Sequence, residues 1–259
     1  IEAKYAYDFA KAEEVITAEL AAMGVPKVNG EFIFNDEQVE ILFVIRNDGD
    51  GTRLLIGDYV ADQLEKIGFK VNRMYRTGAE ASPIWVGSDT KEGQWHMVTG
   101  GWTITGMNRD DGNTFQFYNS PASPYGFASL WQTYTLDQET YDLFDSLANN
   151  EFTSMEQRKE MFEKALYKSM DYSYRVWLVD LASYSFWDEK VTTSYDLGAG
   201  VDVSTLTPFT LRFKDQEGGN LTWGNTAMLI DPPNPIAGSN WAFDSQWKNF
   251  TQDYGVILN

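Results

Sequence analysis

Cysteine is absent from this chain of 259 residues, and His96 is its one histidine. Disulfides, thiol chemistry and a Cys-His pair are excluded, as is a zinc site built on the usual nitrogen and sulfur ligands. A Ser-His-acid triad could use only His96, which lies inside the apolar run 95–99 and reads as structural. Basic residues are scarce too: 20 Lys and Arg against 38 Asp and Glu leave a formal net charge of -18. Nucleic acid and anionic membranes are poor partners for such a chain, because neutralising phosphates needs clustered cations. No run approaches the roughly 18 apolar residues of a membrane helix, and the start at Ile1 shows no charged-then-apolar signal segment. Because the first residue is not Met, the sequence reads as a processed or excised chain.

What is present is enough for a substantial core: 43% of residues are apolar and 15% aromatic. That core could belong to one large domain or two small ones. Residues 40–75 specify their structure most clearly. Ile41 to Ile45 form a continuous apolar run, the pattern of a strand covered on both faces. Asp50 or Thr52 can cap a helix whose apolar face is Ile56, Val60, Leu64 and Ile67. Gly68 ends it, and Phe69 and Val71 open a second strand, so a right-handed strand-helix-strand crossover is expected.

The loop Asn47 to Thr52 invites a ligand, but no motif completes. A dinucleotide fingerprint lacks its third glycine at Leu54, and Gly51-Thr52-Arg53 is not the end of a P-loop. Counted from Asp48 as a calcium loop, Arg53 falls where glycine belongs and Tyr59 where the bidentate glutamate belongs. The sequence therefore calls for no cofactor, and this loop reads as a solvated turn with a helix cap.

Elsewhere, residues 7–23 predict a helix capped by Asp8, with Ala12, Val15, Ile16, Leu20 and Met23 on one side. Asn29-Gly30 predicts a hairpin turn. Residues 76–94 read as loop with at most a short helix, and 95–99 as a buried strand. From Gly100 to about Trp131 the chain shows little periodicity, and irregular stretches of that length tend to carry function. Thr135-x-x-Gln138 and Ser154-x-x-Gln157 are capping-box patterns opening two helices. The second of these has Arg158, Met161, Phe162, Ala165, Leu166 and Met170 on its inner face. Strands are expected at 175–179, 184–187, 209–213 and 227–230.

Aromatic residues supply the best candidates for binding, because Trp85, Trp102, Tyr118, Tyr125 and Trp131 all fall in irregular segments. Asp110 and Asp111 could also serve as the acid and base of a carbohydrate hydrolase, an alternative of a different class.

The order of elements resembles the second lobe of the family 5 extracellular solute-binding proteins, the peptide, nickel and oligosaccharide receptors of ABC importers. The resemblance rests on YDFAKAEEVITAEL, on the strand and helix ending LEKIGFKV, on the strand entering GGWTITGMNRDDGNTF, and on the helix Arg158 to Met170 leading to RVWLV. It implies an α/β fold: a periplasmic-binding-protein type II-like lobe with a mixed sheet flanked by helices. Residues 1–206 would be this second lobe, and 207–259 a returning segment belonging to a first lobe that the chain begins too late to contain.

The resemblance further implies a monomeric, non-enzymatic binder of a small-molecule solute, an oligopeptide or alternatively an oligosaccharide. The solute would be held between lobes outside the cytoplasmic membrane and presented to an ABC permease. In dipeptide receptors an aspartate follows Gly-Trp, whereas here Gly101-Trp102 leads into Thr103-Ile104-Thr105-Gly106. The expected ligand-binding residues are Trp102, Thr103, Thr105, Asn108, Asp110, Arg175 and Trp177, with Trp102 stacking on the solute.

Overall fold

The computed structural model describes residues 2–101, 112–122, 131, 134–182, 184–195, 200–201, 204–224 and 242–251. The architecture is mixed α/β, with helices flanking small sheets. The chain divides into two compact units, Ile1–Gly101 with Tyr125–Leu136, and Trp102–Pro124 with Asp137–Asn259.

The first unit opens with a short helix α1 (Glu2–Tyr5) and then α2 (Phe9–Ala22), whose first turn is held by Asp8 accepting the Lys11 N–H at 2.9 Å. Phe9, Ala12, Ile16 and Leu20 of α2 pack on the buried cluster Val25, Phe32, Ile67 and Phe69. Val15 and Met23 do not join them, being 45% and 73% exposed. At about 100° per residue Val15 falls outside the arc of the other four, and Met23 lies past the last helical residue.

Two tight hairpins follow, from β1 (Lys27–Val28) to β2 (Glu31–Phe34) and from β2 to β3 (Glu37–Gln38). Both use two-residue turns with left-handed backbone, Asn29-Gly30 at φ 53° and 93° and Asn35-Asp36 at φ 51° and 66°. Asn and Gly accept that conformation readily, and its twist matches the flanking strands.

The strand-helix-strand unit forms as expected. β4 (Glu40–Arg46), α3 (Thr52–Ile67) and β5 (Lys70–Arg76) are joined by a parallel register running from Glu40↔Lys70 to Arg46↔Arg76. After α4 (Gly78–Trp85) and a 3₁₀ turn at Thr90–Glu92, β6 (Met97–Val98) adds in parallel to the other side of β4. The sheet order is therefore β5-β4-β6. Phe43, Val44 and Ile45 are all at most 3% exposed, so both faces of β4 are covered. α4 carries a full capping box between Thr77 and Glu80, although Pro83 lies within it. His96 serves the sheet: its backbone N–H donates to Leu42 O and its Nδ1 accepts the Leu42 N–H, each at 2.9 Å.

In the second unit α5 (Gly112–Asn119), α6 (Gln138–Ala148) and α7 (Met155–Tyr172) pack around Phe115. Its ring stacks on Phe144 at 5.7 Å and meets the edge of Phe162 at 4.9 Å. Phe144 and Leu147 are at most 1% exposed, and Ala165 is fully buried. Asp137, not Thr135, caps α6, accepting the Thr140 N–H at 2.9 Å and its hydroxyl at 2.8 Å. Ser154 caps α7 by accepting the Gln157 N–H at 3.1 Å. The Tyr172 hydroxyl also donates to Asp137 and, with the Thr140 bonds, holds that carboxyl below its ordinary range.

The strands expected at 175–179 and 184–187 do not form. Their apolar side chains stand exposed, Val176 at 69% and Phe186 at 92%, and among the described residues no strand pairs with them. A strand needs a partner for its backbone, and local sequence does not supply one. In place of the single strand expected at 209–213 stand α8 (Thr207–Thr210) and a two-residue β8 (Arg212–Phe213) paired antiparallel with β7 (Val191–Thr192). Pro208 suits the first turn of a helix, which leaves only two residues to pair with β7. A final helix α9 covers Ala242–Thr251, while the strand expected at 227–230 lies outside the described residues.

Gly68 couples α3 to the hairpin. Its φ of 125° disfavours a side chain, and a Cβ there would lie 2.4 Å from Gly30 O. Gly24 has φ 82° but open space around it. Gly68→Ala is therefore expected to cost clearly more than the roughly 1 kcal/mol of an unfavourable φ alone, and Gly24→Ala about that amount, as read from urea midpoints.

Candidate functional site

The order β5-β4-β6 makes β4 the point where the chain's path reverses: the first crossover leaves β4 on one side and the chain returns on the other. In open parallel sheets the crevice outside the carboxyl ends of the strands at such a point is the usual ligand position. Here that edge is built by Arg46, by the Asn47–Thr52 loop, by the start of α4 at Gly78, and by Thr99 to Gly101 after β6. Asn47 N–H donates to Arg76 O at 3.0 Å, and Arg46 N–H to Thr99 Oγ1 at 2.9 Å, so the two loops are tied to neighbouring strands.

Arg46 is the unexpected feature, since a strand that begins as Ile-Leu-Phe-Val-Ile ends in an arginine only 3% exposed. Its Nε donates to Asp48 Oδ1 at 2.6 Å, and Asp48 Oδ2 accepts the Gly78 N–H at 2.7 Å. One carboxylate thus joins the end of β4 to the first turn of α4. Burial alone would raise the Asp48 carboxyl, but the hydrogen bonds from Arg46 and Gly78 outweigh it and hold it below the ordinary range.

A second arginine, Arg53, lies in the first turn of α3. Burial and the nearby Arg46 charge both disfavour its cationic form, while Asp48 and Asp50 favour it. Its Nη1 is buried and has no hydrogen-bond partner among the described residues. Gly101 lets the backbone pass beside it: a Cβ there would sit 3.3 Å from Arg53 Nε. Asp50 Oδ1 accepts the Thr52 N–H at 3.0 Å, while the N-cap position itself is Gly51, which has no side chain to offer.

Of the residues expected at the site, Trp102, Thr103, Thr105, Asn108 and Asp110 lie outside the described residues, as does Asp111. Arg175 and Trp177 meet on one aromatic ring in the second unit. The Arg175 guanidinium sits 5.3 Å over Tyr118, and Trp177 approaches the same ring edge-on at 5.5 Å. Tyr118 is 8% exposed and Trp177 55% exposed. Burial lowers the Arg175 guanidinium from its ordinary value and raises the Tyr118 phenol, each shift opposed by the other group.

Arg46 and Arg53 were not expected at the site; Asp48 belongs to the Asn47–Thr52 turn, which open α/β geometry allows at a cleft rim. The one sequence signal for them is position: they bracket the loop after a strand buried on both faces. Among the described residues no group of three or more acidic or histidine side chains could hold a metal ion.

The first unit is thus an α/β unit with a parallel sheet and a polar, arginine-bearing edge at its switch point. No family model matches the chain, and no curated protein is matched. Among solved structures, the chain is similar to NikA from Brucella suis, determined in complex with Fe(III)-EDTA, with a TM-score of 0.44 and 15% identity. That similarity covers 64% of this chain and 30% of NikA.

Asp48 gives the site a pH signature. A depressed carboxyl stabilises the fold above its unfolded value, near 3.9, and that stabilisation disappears as pH falls through the lower folded value. Asp48→Ala is expected to destabilise the fold near neutrality by roughly 1–3 kcal/mol, through loss of its bonds to Arg46 and to the Gly78 N–H. The stability gap between wild type and variant, followed by urea unfolding, is expected to close as pH drops below about 4.

Proposed function

We propose that this chain is a binding lobe of an extracytoplasmic solute-binding component of an ABC importer, taking an oligopeptide in an interlobe cleft. The observation that carries this reading is the carboxyl edge of β5-β4-β6, where a switch point, two arginines and a glycine pair converge. The sequence resemblance points to the same place, because its Gly-Gly-Trp segment is the stretch that leaves β6. In this reading Trp102 stacks on the solute, while Thr103, Thr105, Asn108 and Asp110 bond it.

The role is that of a non-enzymatic receptor that hands a small-molecule solute to a permease. Among the described residues no helix is long and apolar enough to cross a membrane. Cationic edge groups favour a peptide, which carries a carboxylate, over a neutral oligosaccharide.

A thermal-shift screen against peptide and β-linked oligosaccharide panels tests this. A peptide at a hundredfold excess over its dissociation constant is expected to stabilise the fold by about 2.7 kcal/mol, and Trp102→Ala to abolish most of that shift. Stabilisation by oligosaccharides alone would replace the peptide with a sugar, and silence from both panels would reject the receptor reading. Turnover of a carbohydrate lost in Asp110→Asn would make the chain a hydrolase.

A further inference from the structure

We propose that Arg53 is the anion-recognising residue of the β4 crevice, and that it takes a carboxylate of the bound solute. This rests on the reading of that crevice as the solute site. A guanidinium has five N–H donors and no acceptor, so a buried one needs several oxygens around it. Arg53 Nη1 is buried with no hydrogen-bond partner among the described residues. A charge-bearing donor left in that state is costly, and the cost is recovered only when an acceptor arrives.

Among the described residues neither neighbouring acid hydrogen-bonds Arg53 Nη1. Asp48 gives one oxygen to Arg46 and the other to the Gly78 N–H, at 2.6 and 2.7 Å. Asp50 gives Oδ1 to the Thr52 N–H at 3.0 Å. Arg46 is a poorer anchor than Arg53, because its Nε is committed to Asp48 and its side chain is 4% exposed. Gly101 passes close to Arg53, and a side chain there would press on its Nε and Nη2 at 3.3 and 3.4 Å.

Charge narrows the ligand class. Asp48 and Asp50 lie close enough to act on Arg53, and the chain carries a net charge of -18. Both repel a dianion such as phosphate more than a singly charged carboxylate, which a planar guanidinium can meet with two parallel hydrogen bonds. A peptide C-terminus has this chemistry.

The probe is sodium acetate, compared with sodium chloride at equal ionic strength, in thermal melts of the full chain and of Arg53→Gln and Arg53→Lys. Acetate is expected to raise the wild-type melting temperature above that in chloride, to do nothing for Arg53→Gln, and to retain part of the effect in Arg53→Lys. In chloride, Arg53→Gln is expected to melt no lower than wild type, because it removes a buried N–H donor that has no hydrogen-bond partner among the described residues. A wild type indifferent to acetate, an acetate effect that persists in Arg53→Gln, or a lower melt of that variant in chloride would each overturn the assignment.

A peptide taken from the screen is then measured with a free and with an amidated C-terminus. The amide is expected to bind about ten- to a hundredfold more weakly. Equal binding of the two overturns the carboxylate assignment while leaving the peptide reading intact. An acetate effect that depends on Arg53, with no peptide bound, keeps the anion site and rejects the peptide reading.

Discussion

The first unit depends on the parallel pairing of β4 with a neighbour on each side. Because β5 and β6 both hydrogen-bond to β4, and helix α3 covers one face, Val44 and Ile45 leave solvent entirely. Gly57 sharpens this packing, since a Cβ there would lie 2.6 Å from Ile45 and 3.1 Å from Thr99. Close approach of α3 to both strands brings the starts of α3 and α4 to the same edge as the ends of β4 and β6. Arg46 at that edge is paired with Asp48, and Asp48 is held by the α4 start, so the charge pair ties the end of the central strand to the neighbouring helix.

The second unit is organised by aromatic contacts on Phe115, whose stacking and edge contacts join three helices. Tyr118, one turn further along α5, turns the same packing logic outward, with Arg175 above its ring and Trp177 at its edge. The Arg175 guanidinium is desolvated against an aromatic face, and the indole of Trp177 beside it stays half exposed.

Much of the first unit was legible because its signals are local. An apolar run, a helical spacing and Gly68 fix β4, α3 and β5 within thirty-odd residues, and Asn29-Gly30 fixes the hairpin. Thr77-x-x-Glu80 carried an equally local signal for α4, hidden by Pro83 and the surrounding glycines. The stretches 175–179 and 184–187 look like strands by composition, but pairing is a property of a partner, and none stands beside them among the described residues. The candidate site was less legible. Asp48 in a loop reads as a turn or a cation ligand until Arg46, two residues away, is seen to be buried and to need it. Arg53 carried no signal, since its isolation is created by the fold.

The central claim is that solute binds at the carboxyl edge of β5-β4-β6. Hydrogen–deuterium exchange with and without a saturating peptide addresses it directly. Added protection is expected in residues 47–54 and 99–101, the loops that form that edge. Peptide binding accompanied by protection elsewhere, with these two loops unchanged, would contradict it.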